Sequence, residues 1–382
     1  MYTKEKNKMQ ISNRQLFWLI MSIEIGMNLL LSINFAIQSS KQDVWISMIL
    51  AGLVSLFIGW ICIKVSLLYP DQTLMEFTTT ILGKGLGKVV GLFYLAQWYW
   101  VVAVMLREEY TFVRLSLLPK TPDYLIVLTM LAVVVYAVYK GGIETIGRLS
   151  ELWGPILLII LVFTIILTSH NLRVHALMPI YSDSGMLPIM RGSLTPTSLL
   201  GEVSLIMMLI SFTSFSGKTD KQRQLSKSIL SAVFLSTTFL IVGAVWVIMT
   251  FGAELAARIH YPFFEMVKLV YLMEFIQSLE IIMVSIWVIS VFIKQSVYLF
   301  IASYGSAQWI GRTSGWKKWL WVAAFIIGVL AITIVRIDPS SKILLEVIWI
   351  RFVLPINFLI FPLTLYIVGR LRKRKQGHKA SP

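Results

Sequence analysis

Charge is scarce in this 382-residue sequence. Asp, Glu, Lys and Arg together make up 14%, against about 25% in a soluble domain. Cysteine is nearly absent: Cys62 stands alone inside an apolar stretch, which excludes a disulfide framework and a thiolate metal site. The histidines at positions 170, 175, 260 and 378 show no ligand spacing, so no metal or cofactor is expected. Acidic residues are few, 19 against 34 basic ones, for a net charge of +15. On a soluble chain that surplus points to nucleic acid. Here the basic residues fall in short loops between apolar segments, where they set membrane orientation, and no nucleic-acid partner is expected.

What fills the chain is apolar. Hydrophobic residues reach 57% and the mean hydropathy is +0.78. They come in blocks of about 20, the length that crosses a hydrocarbon core of roughly 30 Å. Ten segments are expected, at about 16–38, 44–63, 89–106, 124–139, 152–169, 199–217, 228–251, 276–300, 319–335 and 344–368. They leave no room for a sizeable extramembrane domain, so residues 1–382 read as one polytopic membrane unit with a basic tail from 369 to 382. No small-residue cleavage site follows the basic opening Met1 to Arg14, so the first segment is expected to serve as its own insertion signal. With a cytoplasmic start, the inner segments hold 22 Lys and Arg and the outer loops 10, while Lys294 and Arg351 lie within segments. Both ends are therefore expected in the cytoplasm. The outer stretch 252–275 reads as a short amphipathic helix at the interface.

The first and sixth segments carry internal polar residues and lie five apart. A five-segment unit repeated in tandem inserts the second time upside down, which is how inverted-repeat transporters are built. Their site lies near the midplane, where the first helix of each repeat unwinds. The fold class expected is thus all-α integral membrane, ten helices in a 5+5 inverted-repeat (LeuT-like) arrangement. Glu24, Gly26, Met27 and Asn28 mark the interruption in the first segment, and Ser211, Phe212 and Thr213 that in the sixth. Both should contribute to a ligand site between segments 1, 3, 6 and 8.

Individual polar residues keep two readings. Glu24 meets a ligand ammonium or a proton, or it pairs with a structural partner. Gln97 and Tyr99 belong to an aromatic run that either lines the site or packs. Glu280 and Lys294 are about 21 Å apart along one helix and cannot pair. Glu280 and Trp287 are placed at the site, with Glu280 near an outer gate, whereas Lys294 is expected to snorkel. Glu202, near the outer end of the sixth segment, fits an interfacial place as well as a functional one, and the cluster Arg107-Glu-Glu109 is expected at the interface. Pro355 and Pro362 should kink the last segment, with Asn357 near the freed carbonyls. The stretch Gly83 to Lys88 lacks the spacing of a phosphate loop and reads as a lipid-facing loop.

Several stretches in order resemble one family: Ile11-Ser-Asn-Arg-Gln-Leu16, Tyr69-Pro70 with Leu74-Met-Glu-Phe77, Gly83-Lys-Gly-Leu-Gly-Lys88, and Gly141-Gly-Ile-Glu-Thr-Ile-Gly-Arg148. Leu177-Met-Pro-Ile with Gly185-Met-Leu-Pro188, and Ser278-Leu-Glu-Ile-Ile with Trp287, continue the series. Together they resemble the B subunit of spore germinant receptors, the endospore germination permeases of the amino acid-polyamine-organocation superfamily. The resemblance implies a non-enzymatic, germinant-sensing subunit in the inner membrane of a spore. Its implied ligand is an amino acid or other small nutrient, and its implied partners are an A subunit and a lipoprotein C subunit. The alternative is an ion-coupled amino-acid transporter using the same site. The chain departs from the superfamily in having Gly26 alone where many members carry two glycines, and no glycine at the centre of the sixth segment.

Overall fold

A computed structural model describes residues 9–116, 120–182, 184–213, 219–269, 279–337 and 343–379. Among these, eight helical runs are long and apolar enough to cross a bilayer. Two of them, Asn13–Leu68 and Asp123–Leu167, each hold two of the ten expected segments. The first turns at Lys41 (φ 50°) and the second at Gly142 (φ 53°), left-handed positions that end one helix and start the next.

Helix α1 (Asn13–Met27) starts at a capping box, in which Ser12 accepts from the Gln15 amide while the Gln15 side chain accepts from Ser12. Every side chain from Leu19 to Asn34 is buried, the pattern of a helix surrounded by others. The expected unwinding does not occur. Asn28–Ser32 form a single π-helical stretch before α2 (Ile33–Ser40), a local widening that often marks functional positions. Polar side chains stabilise it: the Asn28 amide donates to the Glu24 carbonyl at 2.5 Å and the Ser32 hydroxyl to the Asn28 carbonyl at 2.6 Å.

Next come α3 (Val44–Leu68), α4 (Leu74–Leu82), α5 (Lys84–Ser116) and the bent α6 (Asp123–Leu167). Helix α5 extends well past the expected 89–106, so Arg107, Glu108 and Glu109 lie inside it and are buried, not interfacial. The sixth segment also differs from 199–217. It begins with α7 (Met186–Leu200), tightens to 3-10 at Gly201–Leu205, and resumes as α8 (Ile206–Leu209). A second 3-10 turn then ends it at Phe212. Pro188, Arg191 and Pro196 had hidden its start by lowering the local hydropathy.

After α9 (Thr219–Phe251), α10 (Ala253–Arg258) and α11 (Pro262–Lys268) fold back onto the bundle. Phe263, Phe264, Met266 and Val267 of α11 are buried, so this element docks on the protein and does not float at the interface. Helices α12 (Leu279–Ile310) and α13 (Trp316–Ile337) precede a long π-helix, Ile343–Ile360, and α14 (Phe361–Lys379).

Burial separates centre from rim. In the run 186–212, 89% of the apolar window is buried, and in 287–310 it is 83%, whereas in 123–167 it is 28%. The sixth segment and α12 thus sit inside with α1, and α6 faces outward. Helices α1 and α12 touch backbone to side chain: Ser290 donates to the Ser22 carbonyl at 2.7 Å, and Trp287 to the Gly26 carbonyl at 3.1 Å. A Cβ on Gly26 would lie 2.5 Å from Ser290 Oγ and 3.1 Å from Ser290 Cβ. Gly26→Ala should therefore lower stability by about 1–3 kcal/mol, with partial recovery when Ser290→Gly is added. Thermal unfolding of the purified variants checks this; an unchanged midpoint for Gly26→Ala would mean the helices do not approach so closely.

Candidate functional site

The centre of the bundle holds charges that hydrocarbon-length segments seldom carry. Lys294 on α12 pairs with Glu202 in the 3-10 stretch of the sixth segment, Nζ to Oε2 at 2.8 Å, with each side chain 3% exposed. The Tyr298 hydroxyl, one turn further along α12, donates to the same carboxylate oxygen at 2.9 Å. A charge at this depth costs at least about 2.5–3.5 kcal/mol when alone, so each partner accounts for the other. Neither an interfacial Glu202 nor a snorkelling Lys294 survives in this geometry, because both groups are fully enclosed.

Glu24 lies beside this pair, and the charges that act on it are those of Lys294 and Glu202. Among the described residues neither Glu24 carboxyl oxygen has a hydrogen-bond partner, and nor has Asn28 Oδ1 one turn away. Three acceptor atoms thus share one face of the first segment at the start of its π stretch, all buried and all without a donor.

Further acids and bases lie nearby. Arg107 forms a buried ion pair with Glu108, and Gln295 donates to Glu109 at 2.6 Å. Arg107 and Glu108 act on the loop that carries His260 and Tyr261, so around Glu24 itself two acids, Glu24 and Glu202, face one base, Lys294. At the loop between α10 and α11, burial holds the His260 imidazole below its ordinary value. Glu108 opposes that shift and Arg107 adds to it. Burial and Glu108 push the neighbouring Tyr261 phenol up.

Two small cavities flank the first segment, each of about 30 Å³, enough for one or two water molecules. One is apolar, walled by Gly26, Leu30, Phe112, Phe264 and Trp287. The other is walled by Met27, Leu31, Val101, Glu202, Lys294 and Trp349. Aromatic clusters pack on either side of the charged centre. Beside Gly26, Phe112 meets Trp287 at 4.5 Å and Phe264 at 4.9 Å. At the end that carries the N-terminus, Phe212 meets Tyr304 at 5.1 Å and Phe300 at 5.5 Å. There the Ile11 amide also donates to the Phe212 carbonyl at 2.9 Å.

Residues 10–342 match the family described as spore germination protein. The chain belongs to that family. Spore germination protein KB of Bacillus subtilis (strain 168) is 25% identical over 375 residues, covering 97% of either chain. Spore germination protein XB of Bacillus anthracis is 27% identical over 279 residues, 72% of this chain and 74% of the relative. Among solved structures, a Na+-coupled sialic acid symporter in a substrate-bound outward-open state superposes with a TM-score of 0.68 at 10% identity, over 96% of this chain and 90% of that one. Mhp1, a nucleobase-cation-symport-1 family transporter, gives 0.53 at 15% identity, over 94% and 83%. These likenesses establish the inverted-repeat transporter fold; family, fold and the eight apolar runs together make this spore germination protein an integral membrane protein, and its family and structural neighbours are germination proteins and transporters, not enzymes.

On that fold the expected site residues divide. Glu24, Gly26, Met27, Asn28 and Trp287 gather at the centre. Gln97 does not join them; its side chain accepts from Asn357 at 2.7 Å. The Tyr99 hydroxyl meets Ser306 at 3.0 Å, roughly 18 Å along α12 from Lys294. Ser211, Phe212 and Thr213 lie at the N-terminal end beside Ile11, which precedes α1 and is 13 residues, roughly 20 Å of helical rise, from Glu24. Glu280 starts α12, and its side chain lies outside the described residues. Reading the sequence missed Glu202, Lys294 and Tyr298 as the centre. Two opposite charges in otherwise apolar segments were the available signal.

Removing one member of the buried pair leaves the other uncompensated. Lys294→Met and Glu202→Leu should each destabilise the protein by about 3–5 kcal/mol, and the double variant should recover most of the loss. Unfolding in nanodiscs reads this; additive losses would mean the two groups do not pair.

Proposed function

We propose that this chain is the ligand-sensing subunit of a spore germinant receptor, binding a small amine-bearing nutrient, such as an amino acid, at the centre of the bundle. The carrying observation is the trio of orphaned acceptors, Glu24 Oε1, Glu24 Oε2 and Asn28 Oδ1. An ammonium group has three N–H donors and no acceptor, the complement of that set. Around Glu24 two acids, Glu24 and Glu202, face the single base Lys294, which favours a further cation in the same place.

The cavities beside the first segment have the volume of a water molecule or two and are too small for an amino acid, so binding requires the walls to move. A ligand shifts such an equilibrium only by its difference in affinity for the two states. The moving parts in this reading are the aromatic clusters on either side of the centre. In this reading the chain crosses the inner membrane of the spore ten times with both termini cytoplasmic. The change is passed to an A subunit and a lipoprotein C subunit, roles carried over from the receptor family. The transporter fold shared with a sodium-coupled symporter favours a second reading, ion-coupled uptake through the same centre.

Glu24→Gln keeps the size of the side chain and removes its charge. In proteoliposomes screened against a panel of radiolabelled amino acids and simple amines, it should weaken binding by about 10- to 100-fold while insertion is unchanged. Binding equal to that of the unsubstituted chain would remove Glu24 from the site.

A further inference from the structure

Away from the charged centre, a groove of about 660 Å³ runs between α6 and α13. Leu131, Val135 and Ala324 form a buried floor, and Tyr136, Trp321 and Phe325 form exposed rims, so the groove opens outward on the circumference of the bundle.

The groove is not uniform along its length. One end carries Tyr139 and Lys140, and the Lys317 ammonium stands 5.0 Å from the centre of the Tyr139 ring. Tyr139 in turn meets Trp321 at 6.0 Å. Both lysines are exposed, and neither has an acidic partner among the described residues. The nearest acid along α6, Glu144, is already paired with Arg148. Met9 and Trp316 lie beside Gly142, which places this charged mouth at the end of the bundle that carries the N-terminus.

From Lys140 to Leu128, the deepest lining residue on α6, the helix rises roughly 18 Å. Half of a hydrocarbon core is about 15 Å. Over that length the lining passes from ammonium groups, through tyrosine and tryptophan, to aliphatic and phenyl side chains. The same order runs through one lipid leaflet, from phosphate through the interface to acyl chain. An uncharged molecule or an apolar helix would fill the aliphatic part but leave the two ammonium groups without a counter-ion. A basic pocket between membrane helices is a recurrent place for an anionic headgroup.

We infer that this groove is a binding site for a phospholipid with an anionic headgroup, its phosphate between Lys140 and Lys317 and one acyl chain along Val135 and Leu131 toward Leu128. The Tyr139 and Trp321 rings then lie at the level of the glycerol esters. Lys317 also stands 6.0 Å from the Trp316 ring, which meets Phe300 at 5.4 Å. The bound headgroup therefore borders the aromatic cluster at the N-terminal end without entering the central site.

The test uses the full chain in phosphatidylcholine nanodiscs. Phosphatidylglycerol and phosphatidylcholine probes carry the same diazirine in the acyl chain, and crosslinked peptides are mapped by mass spectrometry. The expected result is saturable phosphatidylglycerol labelling around 128–140 and 317–328, displaced by unlabelled phosphatidylglycerol and not by phosphatidylcholine or glycerol phosphate. Lys140→Gln and Lys317→Gln should each weaken it about fivefold, and the pair roughly 20- to 30-fold. Lys88→Gln, which removes a charge at the same end of the bundle outside the groove, should leave it unchanged. Equal labelling by phosphatidylcholine would make the occupant an ordinary lipid chain and overturn the assignment. An equal loss with Lys88→Gln would reduce the effect to general surface charge and overturn it too. Displacement by glycerol phosphate, unchanged labelling in the double variant, or crosslinks in the groove to a second copy of the chain would each do the same. Amine binding at Glu24 is read separately, so either site can fail alone.

Discussion

The ion pair between Lys294 and Glu202 is the constraint around which the centre is arranged. It ties α12 to the 3-10 stretch of the sixth segment. Tyr298 adds a second donor to the same carboxylate oxygen, so the pair is fully matched on that side. Buried pairs of this kind add little net stability over apolar packing, yet they are costly to break from one side. They hold helices in register. With the pair closed, Glu24 and Asn28 remain as buried acceptors next to a satisfied charge, the place where the proposed function puts a donor-rich ligand.

This arrangement gives a physical route from ligand to conformation. In the proposed reading, an ammonium between Glu24 and the pair would change the balance of charge around Lys294, to which the sixth segment is attached through Glu202. The 3-10 stretch at Gly201–Leu205 is the irregular part of that segment, and irregular helix is where small displacements are absorbed most readily. The π stretch at Asn28–Ser32 plays the matching part in the first segment. Each inverted-repeat half thus contributes one non-α-helical stretch to the centre, in place of the fully unwound turns expected from sequence.

Much of the scaffold was legible in the sequence because segment length and hydropathy are local properties. The central position of Glu24, Gly26 and Asn28 was legible for the same reason: a charge, a small residue and an amide stand out within an apolar run, whereas Trp287 came from the family resemblance. Pairing was not legible. Lys294 and Glu202 come from distant parts of the chain, and each alone has a bland explanation at an interface. The polar run Ser211 to Thr213 misled because it looks like a helix break at depth. It ends the segment, with Ser211 and Thr213 donating to the carbonyls of Met208 and Ile210. The buried cluster Arg107 to Glu109 misled in the opposite way, since three adjacent charges normally mark the edge of a membrane.

The centre described here is equally compatible in shape with sensing and with transport, and flux separates them. The most direct measurement is radiolabelled amino-acid binding and accumulation by the purified chain in sealed proteoliposomes, with and without proton or sodium gradients. The account predicts saturable binding that does not concentrate label inside under either gradient. Concentrative, gradient-driven uptake would contradict it and make the chain a working transporter.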